Sequence, residues 1–242
     1  MNSYFISDLH LGLQSGVDEN KKLAGLEKLI AIAGSGPSEF YLVGDILDYW
    51  MEFRHVIPKY FSSFLCLLGE LSRSSTAVHW FSGNHDFALG QMFTEEYGVH
   101  CHYGMKEMLV QGKRFIIGHG DGLNKSDIGY RIFVAMVRNR FNQRLLSGLH
   151  QDFSIGLMRY LSRLSRHKKK PSGASESDFL FQYADRLAGE KDFDYFVCGH
   201  SHMLRQERLH NGQAEYVNLG TWINGSYPYG IFTGGRFSLQ EL

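Results

Sequence analysis

The sequence predicts an α/β fold, in which β-strands and helices form layers around a hydrophobic core. Short apolar runs rich in β-branched and aromatic residues alternate with amphipathic helical stretches early in the chain, and residues 215–239 are strand-rich without a helical stretch. With 242 residues, of which 43% are apolar, the chain is long enough for one sizeable core. We expect a single domain over residues 1–242, with a basic helical insertion at about 122–177.

The individual elements follow from local patterns. Apolar residues recur at the helical period of 3.6 in residues 21–33 and 58–73, and Pro58 suits a helix start. The tract at 168–177, KKKPSGASES, predicts a flexible loop. Strands are predicted at residues 4–7, 40–43, 77–81, 114–117, 195–198, 215–219, 231–233 and 236–239.

The insertion carries an unusual charge. Residues 125–170 contain eleven basic and two acidic residues, a net charge of +9, so the rest of this formally neutral chain carries −9. Apolar residues such as Phe153, Leu157 and Leu161 recur at helical spacing among the basic ones. A solvated helical face explains many charge runs, but a basic amphipathic helix is typical of proteins that meet an anionic membrane surface or an anionic substrate.

Composition excludes several classes of protein. A formal net charge of zero argues against a uniformly basic nucleic-acid binder, so we expect no nucleic-acid partner. The three cysteines form no CxxC pair, which favours a reducing compartment over a disulfide scaffold. No apolar run approaches the roughly 20 residues of a membrane span, and the N-terminus lacks the layout of a signal peptide. These features predict a cytoplasmic protein.

Polar clusters follow five of the predicted strands. They are SDLH at 7–10, GDILD at 44–48, GNHD at 83–86, GHGD at 118–121 and GHSH at 199–202. The carboxyl ends of strands in an open α/β sheet converge on the ligand crevice, so these Asp, Asn and His side chains should meet in space. One such cluster is more often a turn or a cap than a site, but five of them at strand ends indicate a metal centre.

The ligand types indicate which metals bind. Carboxylate, amide and imidazole groups without thiolates suit Mn²⁺ or Fe²⁺ and permit Zn²⁺, whereas Ca²⁺ prefers an all-oxygen cage. A carboxylate between two ions can bridge them, and such pairs hydrolyse phosphate esters and anhydrides through a metal-activated water. Hydrolysis of a phosphate ester or anhydride is therefore the predicted reaction.

The ordered blocks SDLHLG, GDILD, GNHD, GHGD and GHSH resemble those of the calcineurin-like metallophosphoesterase superfamily. The resemblance spans residues 8–202 and implies a four-layer sandwich of two β-sheets flanked by helices, with a dinuclear site at one end. It implies one metal ion held by Asp8, His10 and His202, a second held by Asn84, His119 and His200, and Asp45 as the bridge between them.

The same resemblance assigns two catalytic residues. His85 would lie near the phosphate, where it stabilises the transition state or assists the leaving group, and Asp48 would orient it. Since no ligand position is missing, the chain is expected to be an enzyme rather than a scaffold on the same fold.

A narrower resemblance concerns the substrate. SDLHLG at the N-terminus, GDILDYW, GNHDF, HGDGL and the basic insertion are similar to the UDP-2,3-diacylglucosamine pyrophosphatases of lipid A biosynthesis. This resemblance implies hydrolysis of UDP-2,3-diacylglucosamine to UMP and 2,3-diacylglucosamine 1-phosphate, typically with Mn²⁺, at the cytoplasmic face of the inner membrane. The best-studied of these enzymes have Arg where this chain has His85, a residue that agrees with the wider superfamily.

In that family the helical insertion is a lid that caps the active site and holds the acyl chains. The substrate-binding residues expected on this basis are Asn84, His85, Tyr130, Arg159 and Arg163. The basic residues would meet the pyrophosphate and an anionic, peripheral membrane surface. Residues expected along an acyl channel are Phe133, Met136, Val137, Phe141 and Leu145, although packing of the insertion onto the body explains each of them equally well.

Two other functions remain open at this stage. One is a metallophosphoesterase acting on another phosphodiester, a nucleotide or a phosphoprotein. The other is a non-catalytic scaffold, which undetectable metal in the purified protein would support.

Overall fold

The structure is a computed structural model that describes residues 1–53, 55–124, 128–167 and 173–242. Within these ranges, the side chains of residues 130, 131, 133, 137, 138, 140, 163–167, 173 and 174 are not described.

The first β-sheet has six strands. They are β1 (Asn2–Ile6), β2 (Ser38–Val43), β3 (Thr76–Phe81), β4 (His100–His102), β10 (Pro228–Thr233) and β11 (Arg236–Glu241). Their order across the sheet is β11-β10-β1-β2-β3-β4. Strands β1 to β4 are parallel, so their carboxyl ends share one edge, and β10 and β11 add an antiparallel hairpin.

The second β-sheet has five strands in the order β5-β6-β7-β9-β8. Their bounds are β5 (Lys106–Val110), β6 (Lys113–Ile117), β7 (Tyr195–Cys198), β8 (Leu204–Arg208) and β9 (Glu215–Leu219). Strands β6, β7 and β9 are parallel, and the two edge strands pair antiparallel. The carboxyl ends of β6 and β7 thus lie at one edge, as the loop clusters after them require.

Seven helices complete the described part of the fold. They are α1 (Gly16–Ala33), α2 (Ser62–Arg73), α3 (Met92–Tyr97), α4 (Ile128–Arg138), α5 (Arg140–Gly148), α6 (Gln151–His167) and α7 (Gly173–Ala188). A 3-10 turn at Lys59–Phe61 leads into α2. Helices α4 to α6 lie within the segment where the sequence predicts a helical insertion.

Three apolar layers hold the sandwich together. Aromatic rings fill the space between the sheets, where Phe5 stacks on Tyr41 with centroids 4.5 Å apart and on Phe115 at 5.9 Å. Helices α1 and α2 cover the outer face of the first sheet through side chains such as Leu26 and Leu68. Helix α7 covers the second sheet through residues such as Leu180 and Ala184. The predicted four-layer sandwich is confirmed.

Most predicted elements are present, but the structure corrects one loop and adds four elements. The loop predicted at 168–177 is wrong for residues 173–177, which form the first turns of α7, while residues 168–172 lie outside the described residues. Strands β4, β5 and β8 and helix α3 have no counterpart among the predictions. Strand β4 has only three residues, and β5 and β8 are edge strands whose charged residues, in KEMLV and LRQER, hide the apolar pattern.

Candidate metal centre

The predicted metal ligands lie in the loops that follow the parallel strands, and most of them have an unusual backbone. Among the described residues, six non-glycine residues have positive φ, and five of them are predicted ligands. Those five are Asp8 (54°), His10 (47°), Asp45 (53°), His200 (67°) and His202 (61°). The left-handed region costs an ordinary residue about 1–2 kcal/mol, so the surrounding contacts must hold these conformations.

Hydrogen bonds between neighbouring loops hold them. The main-chain N–H of Asp8 donates to the Gly44 carbonyl at 3.1 Å, and that of His10 donates to the Asp45 carbonyl at 2.9 Å. The N–H of His200 donates to the Asp8 carboxylate at 3.0 Å. The loops after β1 and β2 are therefore tied to each other at the main chain, and the loop after β7 is tied to them through the Asp8 carboxylate.

Two glycines allow the loops to approach this closely. A Cβ atom on Gly199 would lie 2.3 Å from Asp8 Oδ2, and one on Gly83 would lie 2.2 Å from Asp45 Oδ1. Both distances are far below any contact that a side chain tolerates. The glycine that opens each of these two blocks is thus required by the packing of the ligand carboxylates.

The first predicted ligand set is assembled. His202 Nε2 lies 3.1 Å from Asp8 Oδ1, and His10 Nε2 lies 3.7 Å from the same oxygen and 3.3 Å from His202 Nε2. Atoms of these three residues lie within 4.8 Å of one another, as one ion would require.

Asp45 occupies the position of a bridge. Its Oδ2 atom lies 3.7 Å from His10 Nε2 on one side and 3.3 Å from His119 Nε2 on the other. Its second oxygen accepts the main-chain N–H of His85 at 2.8 Å, which fixes the carboxylate. One carboxylate oxygen therefore faces imidazoles of both predicted ligand sets.

The second predicted ligand set lies beside it. His119 Nδ1 donates to the Val43 carbonyl at 3.0 Å, which leaves Nε2 directed at Asp45, and the His200 ring is 5.1 Å from that of His119. Asn84 is buried and directly precedes His85, whose main-chain N–H donates to Asp45. Glu176, on α7, lies 3.7 Å from His200 Nε2 and was not predicted.

The charges of the buried groups are strongly coupled. Burial alone would raise the pKa of Asp8 and Asp45, but nearby histidines, His119 above all, hold both pKa values well below the usual range. Burial would lower the pKa of His10 and His119, yet the carboxylates raise it to about 9 and about 10. The site therefore holds two carboxylates whose charge needs positive partners.

Three atoms of predicted ligands support the fit of divalent ions to this site. Asp8 Oδ1, Asn84 Oδ1 and His119 Nε2 are fully buried and form no hydrogen bond of good geometry with the described residues, although Asp8 Oδ1 and His119 Nε2 each face an oppositely charged group at 3.1 and 3.3 Å. Buried polar atoms of this kind are rare in folded proteins, and a bound ion would satisfy all three. The donor set of carboxylate, amide oxygen and imidazole suits a divalent metal such as Mn²⁺.

His85 and Asp48 lie at the mouth of the centre. The structure places His85 Nε2 4.0 Å from Asp45 Oδ2, so the ring faces the predicted bridge. His85 Nδ1 lies 2.8 Å from the main-chain carbonyl of Asp48, whereas the Asp48 carboxylate is 3.7 Å from His85 Nδ1 and 3.4 Å from His10 Nδ1. Asp48 thus contacts His85 mainly through its backbone, and its side chain faces both histidines.

Helices α5 and α6 cover this mouth. A cavity beside His85 is lined by Tyr49 and Phe87 from the body and by Leu146, Met158 and Leu161 from the two helices. Of the residues expected along an acyl channel, Met136, Phe141 and Leu145 are exposed and do not line this cavity, and the side chains of Phe133 and Val137 lie outside the described residues.

Of the three predicted substrate-binding residues of the insertion, the structure describes the side chain of Arg159. The guanidinium of Arg159 stacks over the Tyr60 ring, 5.1 Å from its centroid. The side chains of Tyr130 and Arg163 lie outside the described residues, although both residues belong to helices, α4 and α6.

Several supporting residues were not predicted. Ser7 donates to Asp8 Oδ2 at 2.6 Å, and buried Asp86 accepts the main-chain N–H groups of Gly83 and Ile46 at 2.7 and 2.9 Å. The buried ammonium of Lys22, on α1, donates to the Leu9 carbonyl at 2.8 Å. Ser7 adjoins the predicted ligand Asp8, and Asp86 adjoins the predicted catalytic residue His85, so both could have been found from the sequence, whereas Lys22 carries no sequence signal.

Among the described residues, no helix is both long and apolar enough to cross a lipid bilayer.

Comparisons of the sequence with known proteins point to one group of hydrolases, and comparison of the structure shows a shared fold. The profile of the calcineurin-like phosphoesterase family matches residues 1–204. A UDP-2,3-diacylglucosamine hydrolase of Porphyromonas gingivalis is 31% identical over 263 residues, which cover 99% of this chain and 97% of the relative. A UDP-2,3-diacylglucosamine hydrolase of Salmonella arizonae is 28% identical to this chain. The aligned residues cover 92% of this chain and 91% of that relative. The solved structure of a novel archaeal phosphodiesterase shares the fold, with a TM-score of 0.51 at 14% identity over the whole of both chains.

Proposed function

The chain belongs to the calcineurin-like phosphoesterase family, and we propose that it hydrolyses the pyrophosphate of UDP-2,3-diacylglucosamine to UMP and 2,3-diacylglucosamine 1-phosphate. The observation that carries this proposal is the near full-length similarity to hydrolases of that name, together with the convergence of five Asp- and His-bearing loops on one buried site. One water is consumed, and one P–O–P bond is broken.

The proposed reaction assigns seven residues of this chain to two metal ions. Asp8, His10 and His202 would hold one divalent ion, Asn84, His119 and His200 would hold the other, and Asp45 would bridge them. Bound there, the pair would neutralise charge on the phosphoryl oxygens and lower the pKa of a nearby water. Among the metals that this donor set permits, we propose Mn²⁺ as the resident ion.

His85 would act on the scissile phosphate. Its Nδ1 atom must carry the proton, because a carbonyl oxygen, that of Asp48, can only accept a hydrogen bond. The Nε2 atom is therefore the one presented toward the centre, where the imidazolium form of the ring, protonated at both nitrogens, would donate a hydrogen bond to a phosphoryl oxygen or a proton to the leaving group.

We further propose that helices α4 to α6 form a lid that meets an anionic membrane surface, from which the lipid substrate enters. Large apolar side chains on these helices are exposed: Ile132 (65%), Phe141 (72%), Leu145 (58%) and Phe153 (60%). Exposed apolar residues interleaved with Lys and Arg are typical of peripheral membrane helices.

The decisive experiment is hydrolysis of UDP-2,3-diacylglucosamine by the purified protein with Mn²⁺, with and without EDTA. We expect UMP release that EDTA abolishes. In Asp45→Ala, which removes the bridge from both ions, release should fall at least about a thousandfold, while Asp178→Asn at the surface should retain it. UMP release by Asp45→Ala with normal metal content would contradict the assigned centre.

His85 favours one alternative, a phosphoesterase for another phosphodiester, nucleotide or phosphoprotein, because the best-studied lipid enzymes have Arg at this position. Metal-dependent cleavage of a simple chromogenic phosphodiester without UMP release from the lipid would support this alternative.

A further inference from the structure

The hydroxyl of Ser162 reaches the catalytic histidine from the inserted helix α6. Ser162 is 7% exposed, and its Oγ atom lies 2.9 Å from Asp48 Oδ2 and 3.1 Å from His85 Nδ1. Ser162 is more than 70 positions from both partners in the sequence, so only the docking of α6 onto the body brings these atoms together.

The geometry fixes the direction of each hydrogen bond. His85 Nδ1 donates its proton to the Asp48 carbonyl, so Ser162 has the Asp48 carboxylate as the acceptor for its own proton. The lone pairs of the hydroxyl oxygen then face the His85 N–H. The Ser162 hydroxyl thereby donates to the Asp48 carboxylate and accepts from the Nδ1–H group of His85.

The docking of α6 is independent of this contact. Met158 is 6% exposed and packs in the core between the first sheet and its helices, and the Arg159 guanidinium stacks over Tyr60. Since the burial of Met158 holds the helix in place, the Ser162 hydroxyl can order Asp48 and His85.

We propose that Ser162 is a positioning residue, whose hydroxyl aims His85 Nε2 at the scissile phosphate when α6 is docked. The proposal rests on the proposed function only in that His85 acts on the phosphate, whatever group that phosphate carries. It makes the lid part of the catalytic apparatus as well as a cover for the substrate.

The test compares kcat and KM of Ser162→Ala on two substrates, UDP-2,3-diacylglucosamine and bis-p-nitrophenyl phosphate, with Mn²⁺. We expect kcat to fall about tenfold on both, the size of one lost hydrogen bond, with KM changed less than about twofold. In a His85→Ala background, Ser162→Ala should cause no further loss, because the two residues act as a unit. Ser162→Thr keeps the hydroxyl and should restore most of kcat.

Ser154→Ala is the matched control. Ser154 is also buried on α6, but its hydroxyl donates to the Leu146 carbonyl at 2.7 Å, within the insertion. Its kcat on bis-p-nitrophenyl phosphate should stay within about twofold of the wild type.

A second readout does not depend on turnover. In long-range ¹H–¹⁵N spectra of the Zn²⁺-loaded protein, the His85 ring should show the tautomer protonated at Nδ1, and Ser162→Ala should shift its ring signals while Ser154→Ala does not. Unchanged His85 signals in Ser162→Ala would overturn the proposal.

Two kinetic results would also overturn it. One is a raised KM for the lipid alone with normal cleavage of the diester, which would make Ser162 a substrate contact. The other is a full further loss in the His85→Ala background. If the wild type cleaves the diester but releases no UMP, the proposed function fails, and the role of Ser162 is decided on the diester.

Discussion

At the scale of single residues, the centre depends on backbone conformations that ordinary residues avoid. Asp8, His10 and Asp45 sit at positive φ, and each is held there by main-chain hydrogen bonds to a neighbouring loop. The conformations turn their side chains inward while the loops pack closely together. Strain of this kind at a buried cluster of carboxylates and imidazoles is typical of a functional site.

The close packing leads to a prediction about Gly199. In Gly199→Ala the new Cβ would clash with Ser7 Oγ and Asp8 Oδ2, at 2.0 and 2.3 Å, so the loop must shift and displace the Asp8 carboxylate. We expect kcat to fall at least about a hundredfold, because ligand misplacement of this size removes the aligned geometry. Metal content by mass spectrometry should fall with it.

Gly36→Ala is its control, since a Cβ at that position would have no atom of the described residues within 4 Å apart from its own chain neighbours. Equal activity and metal content in the two variants would show that the loop after β7 does not set the position of Asp8.

At the scale of elements, helix α6 joins the insertion to the body. It carries Ser162 to His85, buries Met158 and places Arg159 over Tyr60. The stack contributes about 0.5–1 kcal/mol at such a site, too little to decide whether the helix docks. Arg159 is thus available to attract an anionic substrate without being needed to hold α6.

We therefore predict that Arg159→Ala lowers lipid turnover about tenfold and leaves cleavage of bis-p-nitrophenyl phosphate within about twofold. Arg159→Lys keeps the charge and should fall between the wild type and Arg159→Ala. Arg144→Ala removes an exposed charge of the same insertion and is the control. Steady-state kinetics on both substrates measures the effect, and equal losses on the two would contradict a role in binding the lipid.

The edge of the first sheet carries a second group of histidines. His79 Nδ1, on β3, lies 3.1 Å from His102 Nε2, on β4, and the His100 ring stacks on that of His79 at 5.0 Å. Burial, together with His100 and His102, lowers the pKa of His79 to about 4. Burial and the neighbouring imidazoles thus disfavour the charged form of the His79 ring in the folded protein.

This shift makes stability depend on pH. Between about pH 6.5 and about pH 4 the unfolded chain binds a proton at His79 and the folded one does not, so protonation favours unfolding as pH falls. In urea denaturation with EDTA, the free energy of unfolding of the wild type relative to His79→Gln should decrease from about pH 7 to about pH 5. A pH dependence of unfolding in His79→Gln that runs parallel to that of the wild type would refute the linkage.

At the scale of the whole molecule, two sheets direct their parallel strand ends at one edge. Predicted ligands from the first sheet (Asp8, Asp45) and from the second (His119, His200) meet there although they are far apart in sequence. Metal binding should therefore stabilise the assembly of the two sheets, because ions that bind only the folded state add their binding free energy to its stability.

Metal binding should also release protons. In the metal-free protein the pKa values of His10 and His119 are raised to about 9 and about 10, so both rings are protonated at neutral pH and must lose a proton to bind an ion. Affinity for Mn²⁺ should accordingly rise with pH up to about 10 and fall in acid. Calorimetry at about pH 7.5 in buffers of different ionisation enthalpy should show about two protons released per protein.

EDTA treatment should lower the melting temperature of the loaded protein in the same buffers. An unchanged melting temperature, or Mn²⁺ binding without proton release, would contradict the assignment of these histidines as ligands.

The sequence alone determined the α/β class and the main strands, and it placed the proposed metal ligands in five loops at strand ends. Strand ends followed by Asp, Asn and His are local patterns, and the blocks from Asp8 to His202 keep their order in the chain. The tertiary structure decided what local patterns cannot contain: the close approach of Gly199 to Asp8, the burial of Lys22, the helical start of α7 and the reach of Ser162 to His85. These contacts join residues distant in sequence, and they form only because packing of the layers brings separate elements together.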